Sequence, residues 1–363
     1  MSPKTPRKRK NPEMVESESS NSSVSQQRSK RPARHVTICA TNEKRLANFA
    51  ATNDLNIGDI SRSSTGSRSS LGSLKFATED MEALNANFIL SSNKNEVIPD
   101  VEGKSCAIFQ QSSWMSLILI IKYYLVTKFP EQYVLLGIDR KILGNADFNV
   151  CQLEGISNPK VQTFLTKLNS VVLNGIQVIG TDETFTDTCV NDLLRIVKLN
   201  NFPLMIRNQP PRKLHIKNVP CVSSEPGFVI EKIEKQNGEK NKIVVIDDKH
   251  LKNVGRSNGF GETQIAIEIL ACGSENVRST GEYTDQTLWA VRVISTYVTF
   301  YKAFISAKYW KELVKGLPKK KHSVVVKRWP AKNGWKAGFD FAEPDGRQEV
   351  LTALVKIRQK LLQ

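Results

Sequence analysis

Asp247 and Lys249 are the residues of this chain whose types and spacing could first support hydrolytic chemistry. On an extended strand, side chains two apart share a face, so these two project together and Asp248 projects away. A magnesium ion takes oxygen ligands from one or two carboxylates, with water and substrate phosphate completing its shell. Such an ion polarises a phosphoryl oxygen and makes hydroxide available near neutral pH. A neighbouring ammonium orients the attacking water and offsets the developing charge. A second carboxylate has to come from the strand paired with the first, and Glu225 is the candidate. Gln264 and Glu268 follow, four apart on one helix. The three glycines between Asn253 and Gly261 lack the lysine of a phosphate-binding loop, so this stretch reads as a connector.

The elements that must position these residues are legible in the pattern. Val244-Val245-Ile246 is a continuous apolar run that suits a strand buried on both faces, predicted over 242–250. Asn237-Gly238 predicts a hairpin turn back to a strand over 223–233. A helix is predicted from Glu262 to Ser274, then a strand pair over 288–294 and 297–305, a short helix over 309–313 and a strand over 323–329. Asp345, with Gln348 three residues on, predicts a capping box at the start of the last helix. Upstream, Asn158 and Pro159 open a helix over 158–173. Thr181–Leu199 reads as a second helix that carries Glu183, Asp187 and Asp192. Short strands are predicted at 131–138, 176–179 and 203–207, the last pairing with 213–216.

Helix, three strands, helix, strand, with Asp247-Asp248-Lys249 ending the third strand, resembles the PD-(D/E)XK nuclease superfamily, in particular the nuclease-like domains of fungal and crinkler-type proteins. The resemblance spans about residues 181–305. It implies an α/β fold: a restriction-endonuclease-like αβββαβ core with a mixed sheet. It also implies Mg2+ or Mn2+ as cofactor, with Asp247, Lys249, Glu225 and Gln264 as the catalytic set. Asp247 and Glu225 would be metal ligands, aided by Glu183 or Asp187 from the first helix. One position departs from the family. In Glu225-Pro226-Gly227-Phe228, a glycine stands where the family has the aspartate of its Pro-Asp motif. Glycine offers no ligand, so activity turns on Glu225. Two further readings stay open: a nuclease fold kept for nucleic-acid binding without catalysis, and a protein-interaction effector directed to the nucleus.

The whole chain sets the partner class. Its 363 residues carry a formal charge of +16, which points to an anionic partner, DNA before RNA. Lys319, Lys320, Lys321, Lys327 and Arg328 are candidate phosphate contacts, and Trp329 and Trp335 could stack bases or belong to the core. Residues 1–100 are rich in Ser, Asn, Lys and Arg and read as a disordered tail. Within that tail, Met81, Leu84 and Phe88 have helical spacing. Arg7-Lys8-Arg9-Lys10 and the basic run over 28–34 read as import signals that would place the protein in the nucleus through an import receptor. Residues 101–180 read as a mostly helical extension, and 181–363 as the nuclease-like domain with its C-terminal helix. The six cysteines are scattered, which argues against zinc and against a disulfide framework. No secretory signal is evident. The apolar run over 114–126 is interrupted by Lys122 and falls short of the roughly 18 apolar residues of a membrane span.

Overall fold

The computed structural model describes residues 37–38, 78–100, 129–176, 182–233, 240–249, 255–319 and 321–363. The basic runs at 7–10 and 28–34, Lys320, the turn at 236–239, the apolar run at 114–126 and most of the strand expected at 176–179 lie outside them.

Strand β7 (Lys240–Lys249) sits inside an eight-stranded mixed sheet, in the order β2-β10-β9-β8-β7-β6-β3, with β11 beside β9. The ranges are β2 Ala86–Leu90, β3 Leu204–Asn208, β6 Phe228–Ile233, β8 Gln286–Ile294, β9 Tyr297–Ile305, β10 Val324–Trp329 and β11 Phe339–Asp340. β3–β6 and β6–β7 are antiparallel, while β7–β8 is parallel. A parallel pair needs a crossover, and helix α5 (Glu262–Thr280) supplies it.

Alternation along these strands separates two cores. Phe228, Ile230, Val244, Ile246 and Val291 face one layer, built from helices α3 (Pro159–Ile176), α4 (Thr184–Ile196) and α7 (Pro344–Leu362). Val229, Ala290, Tyr301 and Val326 face the other, which holds α5, helix α6 (Ala307–Leu313) and helix α1 (Thr78–Ala83). A three-stranded sheet, β1 (Thr37–Ile38), β5 (Val219–Ser224) and β4 (Arg212–Ile216), completes that second layer. α5 therefore packs on β7 and β8 with one side and on β4 and β5 with the other. Its buried residues accordingly run almost without a break from Glu262 to Ser274.

Several expectations are corrected. The tail does not extend to residue 100: β2 is parallel to β10, and Val97 and Ile98 are fully buried in the first core. The helical spacing of Met81, Leu84 and Phe88 serves a helix only as far as Ala83. Asn85 then turns the chain at φ 48°, and pairing with β10 makes the rest a strand. Residues 131–133 form a single 3-10 turn after Pro130 instead of a strand. The strand expected over 223–233 breaks at Glu225–Gly227 into β5 and β6, so β4 pairs with β5 and not with β3. The last helix opens at Pro344 with no side-chain cap. Residues 131–176 share the first core with the sheet. Among the described residues, no helix is long and apolar enough to cross a membrane.

Two buried cationic or ionisable side chains join separate segments within the layers. Arg347 of α7 is fully buried and donates to the carbonyls of Val134, Leu135, Ile138, Phe341 and Ala342. Arg347→Ala would strip five carbonyls of this donor, four of them in buried bonds. It should lower unfolding free energy by at least about 3 kcal/mol in urea titration.

The second is on β4, where the ring Nδ1 of His215 lies 3.1 Å from the Lys213 carbonyl and Arg278 donates to Nε2. That arrangement needs a neutral ring. Burial, followed by the charge of Arg278, lowers its pKa below the usual 6.5, with Glu275 opposing. The unfolded chain then binds the proton that the folded chain refuses, so stability is full above about pH 6.5 and declines below it. Thermal unfolding from pH 7.5 to 5.5 should show this decline, and His215→Gln should flatten it.

Candidate functional site

The N-terminus of α5 meets the carboxyl ends of β7 and β8, and buried polar side chains collect there. The parallel register sets Asp247 beside Arg292 and Lys249 beside Ile294. Arg292 is only 1% exposed. Its Nη1 donates to the Phe260 carbonyl at 2.6 Å and to Asn333 Oδ1 at 3.2 Å, and Nη2 reaches Thr299 Oγ1 at 3.4 Å. The guanidinium lies 5.7 Å from the centroid of the Tyr301 ring. Burial drives the Tyr301 hydroxyl's pKa far up, so it stays protonated.

Next to this group, Arg328 of β10 donates through Nη1 to Glu262 Oε1, and through Nε (3.1 Å) and Nη2 (2.7 Å) to the Ala331 carbonyl. Glu262 is the first residue of α5, where the helix dipole favours a carboxylate. Its second oxygen accepts from Asn333 Nδ2 at 3.0 Å, which also donates to the Gly259 carbonyl at 3.1 Å. Asn333 Oδ1 accepts from Gly334 N at 2.9 Å as well as from Arg292. One asparagine thus ties the 255–261 loop, the 330–337 loop, α5 and β8 together.

Above this network the two loops enclose a cleft of about 440 Å3, lined by Gly255, Phe260, Lys332, Trp335 and Lys336, with Asn333 among them. Lys332, Trp335 and Lys336 meet solvent at its rim. Phe260 has φ 57° between Gly259 at 58° and Gly261 at 88°. A left-handed phenylalanine is strained. It persists because Phe260 N bonds to the Gly255 carbonyl at 2.9 Å while Arg292 and Asn333 hold the carbonyls of Phe260 and Gly259.

The expected catalytic set is only partly gathered. The β6–β7 register pairs Phe228 with Ile246, so its continuation sets buried Gly227 level with Asp247. Gly227 contributes its carbonyl to Gln209 N at 2.8 Å. Glu225 is exposed in the loop ahead of β6. Gln264 Nε2 donates along its own helix to Glu268 Oε1 at 2.8 Å. Glu183 and Asp187 stand at the start of α4, in the layer on the opposite face of the sheet from Glu262. Among the described residues, no three His, Cys, Asp or Glu side chains group closely enough to hold a metal ion.

Of the expected phosphate contacts, Lys319 and Lys321 are exposed, and Lys327 is half-buried, 3.4 Å from Glu96. Arg328 is a correction. It shares the buried parity of Val324 and Val326 and is taken up by Glu262. Sequence reasoning missed Lys302, which faces Lys327 across the β9–β10 pair. Burial lowers its pKa, and the like charges of Lys327 and Lys360 lower it further. A lysine inside an alternating apolar strand is its local signal. Arg292 and Asn333 carried none, because their partners come from distant segments.

Comparison with models of known protein families returns no match, and neither does comparison with curated proteins.

Asn333→Ala removes both donors and both acceptor contacts of this bridge. It should cost roughly 1–3 kcal/mol and raise amide hydrogen exchange across 255–261 while leaving exchange in α3 unchanged.

Proposed function

We propose that this chain is a nucleic-acid-binding protein on a PD-(D/E)XK-type core whose metal-dependent cleavage has been lost. The supporting observation is topological. α4, β3, β6, β7, α5 and β8 follow one another with antiparallel, antiparallel and then parallel pairing, and Asp247-x-Lys249 closes the third core strand. β4 and β5 form an insertion between the first two core strands.

The donors fit binding better than hydrolysis. The position level with Asp247, just ahead of β6, is a glycine, and the position beside it on β8 is a buried arginine held by Thr299 and the Phe260 carbonyl. The residue paired with Asp247 on β8 is thus a cation, where a divalent metal would draw on carboxylates. The described donors therefore do not fit a magnesium centre, and no hydrolytic step is assigned to it.

Phosphate contacts are available elsewhere. Lys302 and Lys327 stand directly opposite each other, Lys327 offset in part by Glu96 at 3.4 Å, with Lys360 close enough to depress Lys302. Like charges paired across strands are destabilising alone, and a phosphate backbone laid across them would relieve the repulsion. Under this proposal the basic runs at 7–10 and 28–34 deliver the protein to the nucleus.

Glu225, exposed two residues ahead of Gly227, favours a second reading in which it serves as a displaced acid and DNA cleavage persists.

Fluorescence anisotropy with labelled DNA tests the first reading. Affinity should fall steeply with rising salt. Replacing Lys302, Lys327 and Lys360 with glutamine should reduce the slope of log affinity against log salt by about 1 for each phosphate left without its lysine. Failure to bind DNA at low salt would sink this reading. Plasmid cleavage in magnesium or manganese that disappears in Lys249→Ala and Glu225→Ala would establish the second reading in its place.

A further inference from the structure

We infer that the cleft between the 255–261 and 330–337 loops is a stacking site for an unpaired nucleotide, so that the protein engages single strands or frayed ends in preference to closed duplex. This inference rests on the nucleic-acid reading above and names the substrate form.

Trp335 carries the first part. It is 52% exposed, while Trp289 and Trp310 are buried, and it lines the cleft with Phe260. A large aromatic left exposed in a concave site offers a face to a flat partner. Every nucleobase has such a face, so stacking is tolerant of sequence.

Charge carries the second part. Lys332 and Lys336 flank Trp335 at the rim, and no carboxylate lines the cleft among the described residues. The ion pairs of the described residues engage other lysines, such as Lys94 and Lys327, and neither of these two. The two ammonium groups repel a cationic ligand and attract an anionic one. An aromatic wall between two lysines matches a base and its adjoining phosphates. The cleft, about 440 Å3, falls within the range of about 300–1,000 Å3 that small ligands fill.

Preorganisation carries the third. Asn333 and Arg292 fix the strained Phe260 turn from below, and Arg328 holds the Ala331 carbonyl at the root of the other loop. Both walls are thus set before a ligand arrives, which cuts the ordering cost of binding. A base inside a duplex is already stacked on its neighbours and cannot enter. An unpaired base can.

The test uses the full chain and three probes: a fluorescein-labelled oligothymidylate, a labelled duplex of equal length, and free dTMP as competitor. Trp335→Ala should weaken single-strand binding about ten-fold or more while leaving duplex binding within about two-fold. Trp335→Phe, which keeps a ring, should retain most of the affinity. Lys332→Gln with Lys336→Gln should reduce the single-strand salt slope by about 1.4. Unchanged single-strand affinity in Trp335→Ala, or equal losses on both probes, overturns the inference. If duplex binding in that case remains salt-sensitive, the broader nucleic-acid reading survives; if the wild type binds neither probe, both fail. Competition by dTMP at the same concentration as the oligonucleotide would also overturn it, because the cleft would then be a mononucleotide pocket. Matching thermal unfolding of Trp335→Ala and wild type secures the comparison.

Discussion

A helix covered on both sides has little solvent face on which to place its polar residues, and α5 is such a helix from Glu262 to Ser274. The main sheet lies on one side of it and β4–β5 on the other. Each polar group it carries must find a protein partner, because a buried carboxylate or amide left unpaired costs several kcal/mol. Glu262 meets Arg328 and Asn333, Gln264 meets Glu268, and Ser274 Oγ accepts from His215 N at 3.1 Å. Glu275 reaches outward to Arg212, which also binds Glu231 of β6. These contacts hold α5 between the main sheet and β4–β5, over the parallel β7–β8 pair that sets Asp247 beside Arg292.

That register shapes the chemistry at the carboxyl ends of the strands. A hydrolytic centre of the resembled kind requires carboxylates to converge and a cation to be recruited from solvent. Here the chain supplies its own cations. Arg292 and Arg328 are buried, and their contacts go to carbonyls, a hydroxyl, an amide and one carboxylate. Their strength goes into holding two loops in fixed positions. One of those loops carries a phenylalanine in a left-handed conformation that would relax without them. The site is therefore rigid at its base and open at its rim, where Trp335 and two lysines meet solvent.

Much of the element order is legible in the sequence. An apolar run marks β7, the Asn158–Pro159 pair marks the start of α3, and β-branched and aromatic residues mark β8 and β9. Errors fall where distant pairing outweighs local pattern. The spacing of Phe88 from Met81 and Leu84 points to a helix, yet β10 draws residues 86–90 into the sheet. Arg328, beside a surface-seeking lysine, reads locally as a phosphate contact. Alternation along β10 turns it inward, and Glu262, 66 residues away in sequence, compensates its charge. Lys302 looks like one basic residue in an apolar strand, and its like-charged neighbour becomes visible only through cross-strand register.

By itself, the sequence determined the chemical inventory: an Asp-x-Lys at the end of a buried strand, a Glu-Pro-Gly ahead of the neighbouring strand, an excess of positive charge, and the periodicities that make helices and strands. Those are properties of residue type and near-neighbour spacing. The tertiary structure alone decided which charges meet. It set Gly227 and Arg292 on either side of Asp247, carried Glu183 and Asp187 to the other face, and joined Asn333 to three other segments. The physical reason is that desolvated charges interact over a few ångströms of space irrespective of separation along the chain. Their partners are chosen by sheet register and helix packing, which no local pattern encodes.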